Sequence, residues 1–125
     1  MAAPNIVGIV TVTGKTAFLS LGDTNETLLV ANAASSGKVF KVNNIIVAND
    51  DGGSSADITI SIRDQDSIAG TRYKIAHTVA VAADSTLIVT DKASAIYLEE
   101  DRCLTAQASA GGDLDVICSY EEISS

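Results

Sequence analysis

Hydrophobic and polar positions alternate with a period of two along much of this chain. The longest case begins at Tyr73: Tyr73, Ile75, His77, Val79 and Val81 fall on one face, and Lys74, Ala76, Thr78 and Ala80 on the other. That period predicts a strand with one buried side. Asp84-Ser85 turns the chain into a β-rich run at 87–90, and Ile96-Tyr97-Leu98 ends on the acidic knot Glu99-Glu100-Asp101. The clearest alternation lies at 56–63, where Ile58, Ile60 and Ile62 are expected to face in and Asp57, Thr59, Ser61 and Arg63 to face out.

The rest of the chain reads the same way. Runs at 6–12 and 16–21 are split by Thr13-Gly14-Lys15, which reads as a hairpin turn. Gly22-Asp23-Thr24-Asn25 is a second turn, rich in residues that tolerate turn geometry. A strand at 27–31 follows. The run 38–48 is long and changes parity, with Phe40 and Val42 on one phase and Ile45 and Val47 on the other. A bulge at Asn43-Asn44 would bring both pairs to the core, and so would a strand covered on both faces. Residues 49–55 and 64–70 are polar loops, and the chain closes on a hairpin of 103–108 with 114–121. No helix has an apolar face. Eight or more short strands with turn clusters between them indicate a β-sandwich or barrel. Residues 1–12 are taken as an N-terminal arm and first strand, and 13–125 as a single sandwich domain.

Composition narrows the function classes. Sixteen acidic residues against eight basic ones leave a net charge of -8. The cations are scattered, whereas nucleic-acid binding needs them clustered. No apolar run approaches the roughly 20 residues of a membrane helix, and the N-terminus lacks the charged region and apolar core of a secretory signal. Neither nucleic acid nor membrane is expected as a partner, and the product is expected in a cytosol at first. Trp is absent and only five residues are Phe or Tyr, which disfavours sites that stack sugars or bases. In the hairpin reading, Cys103 faces Tyr120 and Cys118 faces Thr105, so the thiols lie diagonally on one face. Packed, reduced cysteines are the plainer reading, and a disulfide stays open.

No catalytic, cofactor-binding or metal-ligating residue is nominated, and no cofactor is implied. His77 is the single histidine; among apolar neighbours it reads as a half-buried or interface residue holding a hydrogen bond. The carboxylates gather at Asp50-Asp51, at Asp64 with Asp66, and at Glu99-Glu100-Asp101. None has the alternate-residue spacing and distal Glu of a calcium loop, so solvated loops are the plainer reading. No nucleophile elbow is present. Gly14-Lys15-Thr16 echoes the end of a phosphate loop by chance, because the upstream glycine is missing and no helix follows.

The segments KVFKVNNIIVAND, ADITISIRD, IAHTVAVAADSTLIVTDKASAIYLEED and DLDVICSYEEIS resemble small virion structural proteins of tailed bacteriophages, especially those of cyanobacterial phages. In related sequences Gly-Asp commonly follows the acidic knot, where this chain has Asp101-Arg102-Cys103. The resemblance implies an antiparallel, jelly-roll-like β-sandwich with no enzymatic activity. It implies a capsid decoration or cement protein on the virion surface, assembled in the host cytoplasm. Such a protein would bind the major capsid protein as a homo-oligomer, with a trimer as one expected form. The arm residues Asn5, Ile6, Val7, Ile9 and Val10 are the expected partner contact, through strand addition. The alternative is a neck, tail or baseplate component, or a fibre-associated adhesion module; a carbohydrate-binding sandwich and an enzyme rank below both.

Overall fold

The computed structural model describes residues 6–8 and 11–124. Nine strands make two antiparallel sheets: β1 (Thr11–Leu21), β2 (Thr27–Asn32), β3 (Lys38–Asn49), β4 (Ala56–Gln65), β5 (Ala69–Val81), β6 (Thr86–Thr90), β7 (Ile96–Leu98), β8 (Arg102–Ala108) and β9 (Leu114–Ser124). One sheet has the order β1-β9-β3-β6, with β7 also on β3; the other has the order β2-β8-β4-β5. Most connections cross from one sheet to the other, and this strand order is that of a jelly roll. The expected all-β sandwich is therefore the fold.

The core is β-branched and aliphatic. Val42, Ile45, Val47 and Val116 from the first sheet meet Ile58, Ile60, Leu104 and Ala106 from the second, all fully buried. The parity change in β3 is a bulge. Val42 pairs with Tyr120 and Asn44 with Ser119, which leaves Asn43 as the extra residue. Phe40, Val42, Ile45 and Val47 consequently all reach the core. Two buried asparagines tie the sheets together at opposite ends of β3. Asn32 Nδ2 donates to the Lys38 and Leu98 carbonyls at 2.9 and 3.0 Å. Asn49 Nδ2 donates to the Ser54 and Val81 carbonyls, both at 2.9 Å. Each amide satisfies backbone carbonyls where the chain changes sheets, which is where no ladder can do so.

Three expectations are corrected. β1 runs without a break from Thr11 to Leu21, and Thr13, Gly14 and Lys15 pair with Glu122, Glu121 and Tyr120. What reads locally as a turn is edge strand, because pairing with β9 outweighs the weak β preference of Gly and Lys. The closing hairpin does not form either. β8 pairs with β2 and β4, while β9 pairs with β1 and β3, so the 109–113 loop crosses between sheets. That loop lies backbone to backbone against the turn after β1: Gly112 N–H donates to the Leu21 carbonyl at 2.8 Å. Thr59 and Ser61, finally, are buried beneath side chains rather than facing water.

The crossing separates the cysteines. Cys118 points into the core opposite Ala17 and Ile45, whereas Cys103 faces the far side of the second sheet, against the Gln65 carbonyl. Both are buried and free, and burial pushes the Cys118 thiol up to about 12 and raises that of Cys103. Since the thiolate is the reactive form, neither thiol of the folded protein should react with a small alkylating reagent at pH 8. Both should react once denaturant is added, and fast labelling before unfolding would contradict the placement.

Gly14 and Gly111 test the corrected topology. A Cβ on Gly14 meets nothing within 4 Å, whereas one on Gly111 would lie 2.6 Å from the Gly22 carbonyl oxygen. Gly14→Ala should be neutral or stabilising by up to about 1 kcal/mol, as for a strand-interior glycine. Gly111→Ala should destabilise by about 1–3 kcal/mol through overpacking. Denaturant unfolding of the two variants reads both numbers, and a costly Gly14→Ala would restore the turn at 13–15.

Candidate interaction surfaces

Alternation sends every second residue of the first sheet outward. Phe18 pairs with Ile117, Ile117 with Ile46, and Ile46 with Ile88. These four side chains form one row across β1, β9, β3 and β6. At the usual spacing of about 4.8 Å between strands, the row is roughly 15 Å long. Phe18 is 77 % exposed and Ile88 63 % exposed. The neighbouring rows are short and almost uncharged: Thr16 with Ser119 and Asn44 on one side, Ser20 with Asp115, Ala48 and Thr86 on the other. Asp115 is the one charge in them. An aligned apolar row with a neutral polar margin is the anatomy of a protein contact surface.

The outer face of the second sheet is polar and built around Glu26, from the turn before β2. Arg63 donates to it through Nε at 2.8 Å and Nη2 at 2.7 Å, and Thr105 Oγ1 donates at 2.6 Å. Arg72 lies across β4, its Nε donating to Ser61 Oγ at 2.7 Å and its Nη2 to Gln107 Oε1 at 3.0 Å. The charge-assisted bond from Arg63 is the main reason that the Glu26 carboxyl is held down at about 2 instead of 4.5. Glu26 bonds Thr105 and Arg72 bonds Ser61, and both hydroxyls are buried on a face that alternation assigns to water.

Beside this network is an open depression of about 230 Å³, lined by Asp57, Thr59, Arg72, Lys74, His77 and Gln107 among others. Two irregularities in β5 make it. Ile58 pairs with Val79 and Ile60 with Ala76, so His77 and Thr78 together oppose Thr59; Ser61 then pairs with Lys74, which leaves Ile75 as a second extra residue. Ile75 and Ala76 both pack on the core, and His77 moves to the face of Arg72 and Lys74. Of the two expected placements of His77, half-buried or at an interface, the half-buried one is corrected: His77 is exposed, and its ring bonds to no described residue.

The acidic loops mainly cap turns. Asp51 Oδ1 accepts from Gly53 N–H at 2.8 Å, Asp64 Oδ1 from Thr71 N–H at 2.7 Å, and Glu100 Oε2 from Gly37 N–H at 3.2 Å. Partial loss of hydration, with Asp51 and Asp50 close by, raises the Asp113 carboxyl above its ordinary value. Among the described residues, no three His, Cys, Asp or Glu side chains gather as metal ligands. Of the arm, Ile6–Gly8 form a single 3-10 turn and Val7 is 92 % exposed. Asn5, Ile9, Val10 and the Ile6 side chain lie outside the described residues.

No protein-family model matches the chain, and no curated protein does. Solved structures do share its fold. A chain of the disulfide-linked pili that form Bacillus endospore appendages has a TM-score of 0.53 at 14 % identity, over 91 % of this chain and 88 % of that one. A chain from the capsid of Ralstonia phage GP4 has a TM-score of 0.51 at 13 % identity, over 98 % of this chain and 90 % of that one. At these identities the likeness is one of fold.

The Glu26 network carries a pH dependence. Its folded pKa is depressed, so the stability that it contributes is present above about pH 4.5 and is lost as pH falls toward about 2. Glu26→Gln should cost about 2–3 kcal/mol at pH 7 in urea unfolding, after allowance for partial exposure. The difference from the parent should vanish near pH 2; a constant difference across that range would show that the charge is not the source.

Proposed function

We propose that this chain is a non-enzymatic structural protein of a phage virion, and specifically a decoration or cement protein bound to the major capsid protein. The observation that carries the reading is the row Phe18–Ile117–Ile46–Ile88 on the outer face of the first sheet. A folded chain with net charge -8 keeps solvent contact through its acidic loops and leaves one nearly neutral sheet face to meet a partner. The two solved structures reported above come from a phage capsid and from pili, assemblies of repeated protein subunits. Among the described residues the single histidine, His77, bonds to no Ser, Thr or Cys side chain, so no nucleophile–base pair is formed. In this reading the sheet face docks on a capsid subunit. The arm Asn5, Ile6, Val7, Ile9 and Val10 reaches a neighbouring subunit, and a homotrimer is the expected form on a capsid of local three-fold symmetry.

The test has two parts. In purified particles the chain should be present at one copy per major capsid subunit or a simple fraction of that, as quantitative mass spectrometry would read. The double variant Phe18→Ser/Ile88→Ser should fold with nearly unchanged melting temperature, since both side chains are exposed. Its affinity for capsids should fall by about 100-fold, the loss expected when the two most exposed apolar anchors of the row are removed. A copy number of a few per particle would move the chain to the neck or tail. Unimpaired binding by the double variant would take the contact away from this face.

A further inference from the structure

The notch on the second sheet has a different chemistry from the apolar row, and it is independent of the virion reading. We infer that it is an oxyanion-binding site, with Arg72, Lys74 and His77 as the recognising groups. Three observations converge on it. The first is charge: Arg63, Arg72 and Lys74 are three of the eight cations in the chain, and the single histidine joins them on one face. Glu26 is held by Arg63 and also lies 3.5 Å from Arg72 Nε, so Arg72 is partly neutralised while Lys74 and His77 are not. Asp57, the other carboxylate at the notch, lies within ion-pair distance of none of these cations among the described residues.

The second observation is unused bonding capacity. Arg72 is fixed by bonds from Nε and Nη2, while its Nη1 has no protein partner among the described residues. Lys74 Nζ and both ring nitrogens of His77 are equally unengaged. A guanidinium held rigid with one nitrogen open presents donors that lose little entropy on binding.

The third is the backbone. The extra residue at Ile75 is what brings His77 to the face of Lys74, and a second irregularity follows at once at His77-Thr78. Thr78 sits at φ +47, a region that a β-branched residue adopts only under constraint, and its N–H bonds to Thr59 Oγ1 at 3.0 Å instead of to the ladder. Bulges that re-aim side chains are over-represented at binding sites. The Thr59 hydroxyl in the lining, which accepts from Thr78 N–H, adds a neutral donor. Cations with such a donor suit a tetrahedral or planar oxyanion, as phosphate or as a carboxylate.

Titration of the intact chain with inorganic phosphate and, separately, with acetate, followed by NMR at pH 7 and constant ionic strength, decides the matter. The His77 ring protons and the Thr78 and Ser109 amides should shift together and saturate, with a Kd on the order of millimolar. Lys74→Gln should weaken that binding by about fivefold or more without changing the rest of the spectrum. Saturation by phosphate alone would assign a phosphate-bearing ligand. Saturation by acetate to a similar degree would assign a carboxylate, as on a protein side chain. Non-saturating shifts, the same shifts from sodium chloride at equal ionic strength, or an unaltered curve in Lys74→Gln would overturn the inference. Because neither salt nor variant touches the first sheet, failure here leaves the capsid reading standing, and the reverse also holds.

Discussion

Strand parity, and the few places where it is broken, governs this molecule. A strand can hide only every second side chain, yet β3 must place Phe40, Val42, Ile45 and Val47 in one core. The single extra residue at Asn43 makes that possible. It also has a consequence on the other side of the sheet. Once Ile45 and Val47 turn inward, Ile46 must turn outward, where it stands between Ile117 and Ile88. The bulge that completes the core therefore also turns Ile46 into the exposed row, and a second irregularity, at Val89, sets Ile88 opposite it.

β5 follows the same logic with the opposite chemistry. Its extra residues press Ile75 and Ala76 onto the core in succession and carry His77 across to the face of Arg72 and Lys74. The two outer faces thus diverge: one sheet offers a nearly uncharged apolar row, and the other a cationic notch beside a closed ion-pair network. The jelly-roll order keeps them apart, because consecutive strands mostly belong to different sheets. Asn32 and Asn49 hold the two sheets in register at the crossovers, so each face has a fixed position relative to the other.

A chain dominated by Val, Ile, Ala and Thr, with turn clusters between its alternating runs, can bury enough surface only as packed sheets, and that much follows from local pattern alone. The Ile58–Ile60–Ile62 phase and the parity break at Asn43-Asn44 are both legible there, since each depends on neighbours along the chain. Which strands pair is a different kind of information. The 103–121 stretch reads as a hairpin because its loop is short and glycine-rich, but β8 and β9 each find two better partners in separate sheets. Thr13-Gly14-Lys15 reads as a turn until β9 is there to pair with it. His77 reads as an inward residue because a bulge in β5 has no signature except the strand beside it. Alternation is a property of the covalent chain, whereas pairing, bulge position and the joining of distant residues into one surface arise only when strands far apart in sequence share hydrogen bonds.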